Sequence, residues 1–74
     1  MGERLISRLR AHRLQASLTQ DALAKAVGVS RQTINSIEAQ RYVPSTVLAL
    51  RLSAALGTTV EQLFALPKPS GGPT

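Results

Sequence analysis

Residues 20–39 read QDALAKAVGVSRQTINSIEA. Two short helical patterns meet at Gly28 in this stretch. Leu23, Ala24 and Val27 form the apolar set of the first, and Ile34 and Ile37 that of the second. Between them, Gly28-Val29-Ser30 reads as a tight turn followed by a helix cap. The outward positions of the second helix are Arg31, Gln32, Asn35 and Ser36. These side chains donate and accept hydrogen bonds in forked geometry, which is what reading base edges in the major groove requires. The stretch therefore predicts a helix-turn-helix and points to sequence-specific DNA binding.

Working outward, the flanks predict three more helices. The first spans about residues 4–16, with Leu5, Ile6, Leu9 and Leu14 at helical spacing and Arg4, Arg8, Arg10 and Arg13 between them. Thr19 is an N-cap for the second helix, with Asp21 in its first turn. Leu18 with Leu23, and Val29 with Ile34, stand as hydrophobic staples. Ser30 caps the third helix, expected over residues 31–39. After a loop over residues 40–44, Ser45 caps a fourth helix. Its dense apolar residues Val47, Leu48, Leu50, Leu52, Ala55 and Leu56 predict a buried central helix, closed by Gly57. Thr59-Val60-Glu61-Gln62 fits a capping box opening a short fifth helix that ends near Phe64 or Ala65. The domain is expected over residues 1–66. The remaining PKPSGGPT, residues 67–74, reads as a tail or linker because no apolar residue is left to pack.

Composition narrows the class. Seventy-four residues make one domain at most, with a small core. The chain has no cysteine, so aliphatic packing rather than disulfides or thiolate metal sites carries stability. One Tyr, one Phe and no Trp argue against an aromatic platform for single-stranded nucleic acid. Nine Lys+Arg against four Asp+Glu give a formal charge of +5, a bias toward polyanions. No apolar run approaches the roughly 18 residues of a membrane span, and MGERLISRLR has no uninterrupted apolar stretch of a secretory signal. A soluble, cytoplasmic protein is the expectation.

The spacing of Gln20, Ala24, Gly28, Ile34 and Ile37 resembles the phage-repressor-like (Cro/repressor, XRE) helix-turn-helix family. The likeness extends to Arg13, seven residues before Gln20, to Glu38, and to the closing VPSTVLALRLSAALGTTVEQLF. It covers about residues 5–66. It implies an all-α fold, a compact five-helix bundle of the lambda-repressor-like type, with the helix-turn-helix at the second and third helices. The chain departs from the family pattern after Glu38, where Ala39-Gln40 replaces the usual Asn-Gly. Glycine there accepts a left-handed backbone, which costs another residue roughly 1–2 kcal/mol. Either Gln40 carries that strain or the loop exits differently.

The resemblance also implies roles. Arg31 and Gln32 fall at base edges, where arginine suits guanine and glutamine suits adenine. Ser36 and Asn35 are further base-contact candidates. Gln20, Thr33, Arg41 and Tyr42 are candidates for phosphate contact, with packing an equal alternative for Tyr42. Arg13 and Glu38 read as a structural salt bridge, and Lys25 and Arg10 as general positive field. The lone His12 and the scattered Asp21, Glu3 and Glu61 form no catalytic or metal-ligating pattern, so no enzyme activity, metal or cofactor is expected. The expected partner is double-stranded DNA with a two-fold symmetric operator, read by a homodimer with half-sites about 34 Å apart. Val60, Leu63, Phe64 and Leu66 offer a dimer surface, with Leu63 assigned rather to the core. Two rival readings are an antitoxin-like protein-interaction module and the detached N-terminal domain of a ligand-responsive regulator.

Overall fold

The computed structural model describes residues 4–67. In chain order these form β1 Ile6–Ser7, α1 Leu9–Gln15, α2 Gln20–Val27, α3 Arg31–Glu38, α4 Thr46–Leu56, α5 Val60–Leu63 and β2 Phe64–Ala65. The tail expected over residues 67–74 lies, beyond Pro67, outside the described residues.

Four helix starts share one device. Thr19, Ser30, Ser45 and Thr59 each sit in extended backbone, and each hydroxyl accepts from the amide three residues on, at 3.0–3.1 Å. Each cap satisfies one of the backbone donors that a helix start leaves free. The ends share a second device. After α1, α2, α3 and α4 the chain turns through a left-handed residue: Ser17, Gly28, Gln40 and Gly57. The next amide then reaches back to a carbonyl five residues earlier, as in Val29 to Ala24 and Arg41 to Ser36. This is the Schellman arrangement, which turns the chain sharply without orphaning the last carbonyls.

Every helix contributes to the core. Leu9 from α1, Leu23 from α2, Ile34 and Ile37 from α3, Leu52 from α4 and Leu63 from α5 are all fully buried. Burial of each stabilises the fold by about 1.5–3 kcal/mol. Ala24 is also buried, and its small side chain lets α2 and α3 approach closely.

Three expectations need correction. The first helix begins at Leu9 rather than near Arg4. Ile6–Ser7 instead pairs antiparallel with Phe64–Ala65, Ile6 opposite Ala65 and Ser7 opposite Phe64, so the helical fold carries a small two-stranded ladder. The Arg8 amide extends this pairing by donating to the Leu63 carbonyl at 2.8 Å. Leu14 consequently lies outside the core and is exposed, because in a helix starting at Leu9 the inward position one turn later is Arg13. The fourth helix is not central: only Leu48, Ala49 and Leu52 are buried, while Val47 and Leu50 are more than half exposed. Finally, Phe64 belongs to the core rather than to an outer surface, where it joins Leu63, which was expected there. The exposed apolar face lies beside them, as a groove between the start of α4 and α5 lined by Leu5, Val43, Pro44, Leu50, Val60 and Phe64.

Candidate nucleic-acid interface

The core positions of α3 decide what it shows to solvent. Ile34 and Ile37 face inward against α2. At about 100° per residue this turns Arg31, Gln32, Asn35 and Ser36 outward together. Arg31, Gln32 and Asn35 are exposed and Ser36 is half-buried. None of the four side chains bonds to another described residue. Their donors and acceptors are free for a ligand. Thr33 differs: it is half-buried, and its hydroxyl lies 3.0 Å from that of Ser30, within the N-cap.

A buried polar cluster anchors the far end of α3. Arg13 Nε donates to Glu38 Oε2 at 2.6 Å and Nη2 to Oε1 at 3.1 Å, while Nη1 donates to the Leu18 carbonyl at 2.7 Å. Gln20 Nε2 adds a fourth bond, to Glu38 Oε1 at 3.1 Å. The Arg13 and Glu38 side chains are only 9% and 6% exposed, so the pair is shielded from solvent, and every buried side-chain nitrogen and oxygen among the described residues has a hydrogen-bond partner. Hydrogen bonding to Glu38 raises the Arg13 pKa above its already high ordinary value, opposed by burial and helped by the charge of Glu38. Arginine in a planar two-point pair fixes orientation as well as distance. The cluster thereby ties α1, the start of α2 and the end of α3 into one unit. Gln20, placed by sequence among phosphate contacts, uses its amide here for structure; one of its N–H groups remains.

The exit from α3 carries the family departure. Gln40 has φ of 61°, so it bears the left-handed conformation that the usual glycine would supply. Its side chain folds back, and Oε1 accepts from the Ser7 amide of β1 at 2.9 Å. The residues that follow, Arg41 and Tyr42, line one shallow depression with Gln32, Thr33 and Ser36. On the opposite flank of α3, Arg10 lines a second depression with Gln20, Asn35 and Ala39. The structure thus gathers the sequence candidates on and around one face of α3, with Arg10 beside them. The sequence assigns Arg10 only to the general positive field, because a first helix phased from Leu5 and Ile6 does not direct it toward α3. Phasing it from the buried pair Leu9 and Arg13 turns Arg10 toward α3.

Among the described residues no group of three His, Cys, Asp or Glu side chains is placed to hold a metal ion. No helix among them is long and apolar enough to cross a membrane.

Comparison with known proteins places this arrangement. A family described as Helix-turn-helix matches residues 9–63. An uncharacterized HTH-type transcriptional regulator of the archaeon Methanothermobacter thermautotrophicus is 49% identical over 59 residues, covering 78% of this chain and 86% of that protein. Among solved structures, the P22 c2 repressor in complex with synthetic operator 9T superimposes with a TM-score of 0.71 at 37% identity, covering 73% of this chain and 82% of that one. The restriction-modification controller protein C.AhdI from Aeromonas hydrophila gives a TM-score of 0.72 at 33% identity, covering 77% and 86%.

Proposed function

The chain belongs to the Cro/repressor (XRE) helix-turn-helix family, and from that premise we propose that it regulates transcription by binding double-stranded DNA with α3 in the major groove. The observation that carries this reading is the outer face of α3. Four hydrogen-bonding side chains stand there without partners among the described residues, on a helix pinned at both ends, in a chain of net charge +5. A merely solvated helix face has no need of a buried ion pair holding its far end.

Arg31 and Gln32 lead the base reading, with Asn35 and Ser36 one turn further along. Arg10 and Arg41 flank α3 on opposite sides and anchor phosphates, with Tyr42 beside Arg41. Thr33 serves the N-cap first, and Gln20 reaches phosphate only through its remaining N–H. These contacts are too few for strong discrimination by one copy, so two copies read a two-fold symmetric operator. They meet at the apolar groove beside α4, since Leu63 and Phe64 are buried in the core. No catalytic role is assigned.

Selection of bound sequences from a random duplex library tests the reading. Wild-type protein is expected to yield a two-fold symmetric consensus. Arg31→Ala and Gln32→Ala each relax it at particular bases, at a cost of about 1–3 kcal/mol. Arg10→Ala and Arg41→Ala weaken binding to all sequences alike, and each lowers the slope of log affinity against log salt by about one. Binding without sequence preference would sink the proposal.

A further inference from the structure

We propose that Gln40 is a positioning residue for DNA binding: its side chain latches the exit of the recognition helix to strand β1, and so holds Arg41 and Tyr42 against the base-reading face. This rests on the DNA-binding reading above. The geometry has two halves. The backbone of Gln40 occupies a left-handed conformation that glycine adopts freely and that other residues adopt at a cost, so the position disfavours any residue with a Cβ. Yet a glutamine stands there, and its Oε1 takes the Ser7 amide at 2.9 Å across 33 residues of sequence. That bond is the one described side-chain link between the exit of α3 and the β1–β2 ladder.

The residues just beyond the latch are those that face the ligand. The Arg41 amide returns to the Ser36 carbonyl at 2.9 Å, closing the turn, and the Arg41 and Tyr42 side chains then border the same depression as Gln32 and Ser36. Gln40 is thus the last residue before the phosphate-contacting side chains whose own side chain is held by a described hydrogen bond. A strained position kept in place by its surroundings is where pre-organisation is found. With the latch closed, the loop meets DNA already ordered. With the latch open, binding must order it, and apparent affinity falls by the fraction of molecules in the competent arrangement.

Two substitutions separate this role from plain stabilisation. Gln40→Gly removes the acceptor but relieves the backbone, so the thermal midpoint is expected to hold or rise. Gln40→Met keeps the length and the backbone strain but removes the acceptor, so the midpoint is expected to fall. Both are expected to weaken binding to the selected operator to a similar degree, about three- to tenfold, the value of one exposed hydrogen bond. In both, the Ser7 amide exchanges faster with solvent, and the oligomeric state by sedimentation stays that of wild type. Affinity that follows the thermal midpoint, or that falls only because the oligomer is lost, overturns the latch. So does wild-type affinity in both variants, and that result leaves the DNA-binding reading intact. Failure of the wild-type chain itself to prefer any sequence overturns both.

Discussion

At the scale of single residues, the Arg13–Glu38 pair carries the strongest consequence. Truncating Glu38 leaves a guanidinium enclosed without its counter-charge and with only its bond to the Leu18 carbonyl. Breaking a buried pair in this way costs about 3–5 kcal/mol, against a total of roughly 5–15 kcal/mol for a typical domain. Glu38→Ala is therefore expected to lower unfolding free energy by about 3 kcal/mol, read by urea titration. Adding Arg13→Ala removes the stranded charge, so the double variant is expected to lose less than the sum of the two single losses. Equal, additive losses would show that the two side chains do not act as a pair. The pair's dependence on Arg13 protonation has a definite sign. The folded-state pKa is raised, so the contribution is complete below the unfolded value and is lost only as pH rises through the raised one. Both values lie in the strongly alkaline range, so titration of Arg13 leaves stability flat across neutral pH. The pair was legible in the sequence only through family resemblance, because nothing local connects residues 25 positions apart. Gln20's bond to Glu38 and Gln40's bond to Ser7 were not legible at all: each joins a polar side chain to a distant group that periodicity does not encode.

At the scale of elements, the helices were readable because their ends are written in short code. Thr19, Ser30, Ser45 and Thr59 mark four starts, and Gly28 and Gly57 mark two ends. The other two left-handed turns have no glycine, and there the code is silent: Ser17 has φ of 59° and Gln40 φ of 61°. The strands escaped for a different reason. Two residues are too few to show alternation, and Ile6 and Ser7 become a strand only because Phe64 and Ala65 arrive beside them. The pairing of glycine and non-glycine turns gives a direct test. Ser17 is exposed, and its side chain makes no hydrogen bond to another described residue. Ser17→Gly relieves roughly 1–2 kcal/mol of left-handed strain, while glycine's freedom in the unfolded chain takes back roughly 0.5–1 kcal/mol. The strain term wins. Calorimetry is expected to show a net gain of about 0.5–1 kcal/mol, or roughly 2–8 °C in midpoint. A drop in midpoint would mean that the turn depends on the serine hydroxyl. Gln40→Gly relieves the same strain but gives up a hydrogen bond, so its gain is expected to be smaller than that of Ser17→Gly.

At the scale of the whole molecule, charge and apolar surface are segregated, and the segregation supports the proposal that a second copy covers the groove. The basic side chains flanking α3 leave a chain of +5 that repels copies of itself over most of its surface. The groove bounded by Val43, Pro44, Leu50 and Val60 is different, since its lining holds no Lys or Arg and only Glu61 among charged groups. It is a face on which two such chains approach without bringing lysine or arginine side chains of the lining together. Val43 and Leu50 of its lining are each more than half exposed and give a second copy apolar surface to cover. The density of apolar residues in α4 suggests a central buried helix; Leu50, beyond what the core takes, is displayed on this face. Leu50→Glu places a charge on that face without touching the core, because Leu50 is 56% exposed in the single chain. The variant is expected to stay folded, with a circular dichroism spectrum and thermal midpoint near wild type. Sedimentation equilibrium is expected to find it monomeric at concentrations where the wild type is dimeric. Its affinity for a full two-fold operator then falls at least about tenfold, because the second half-site no longer binds intramolecularly. Affinity for an isolated half-site stays unchanged, since α3 and its flanking arginines are untouched. A wild-type chain that sediments as a monomer on the full operator, or a Leu50→Glu variant that still dimerises, would remove the groove from the assembly and leave the recognition helix to act alone.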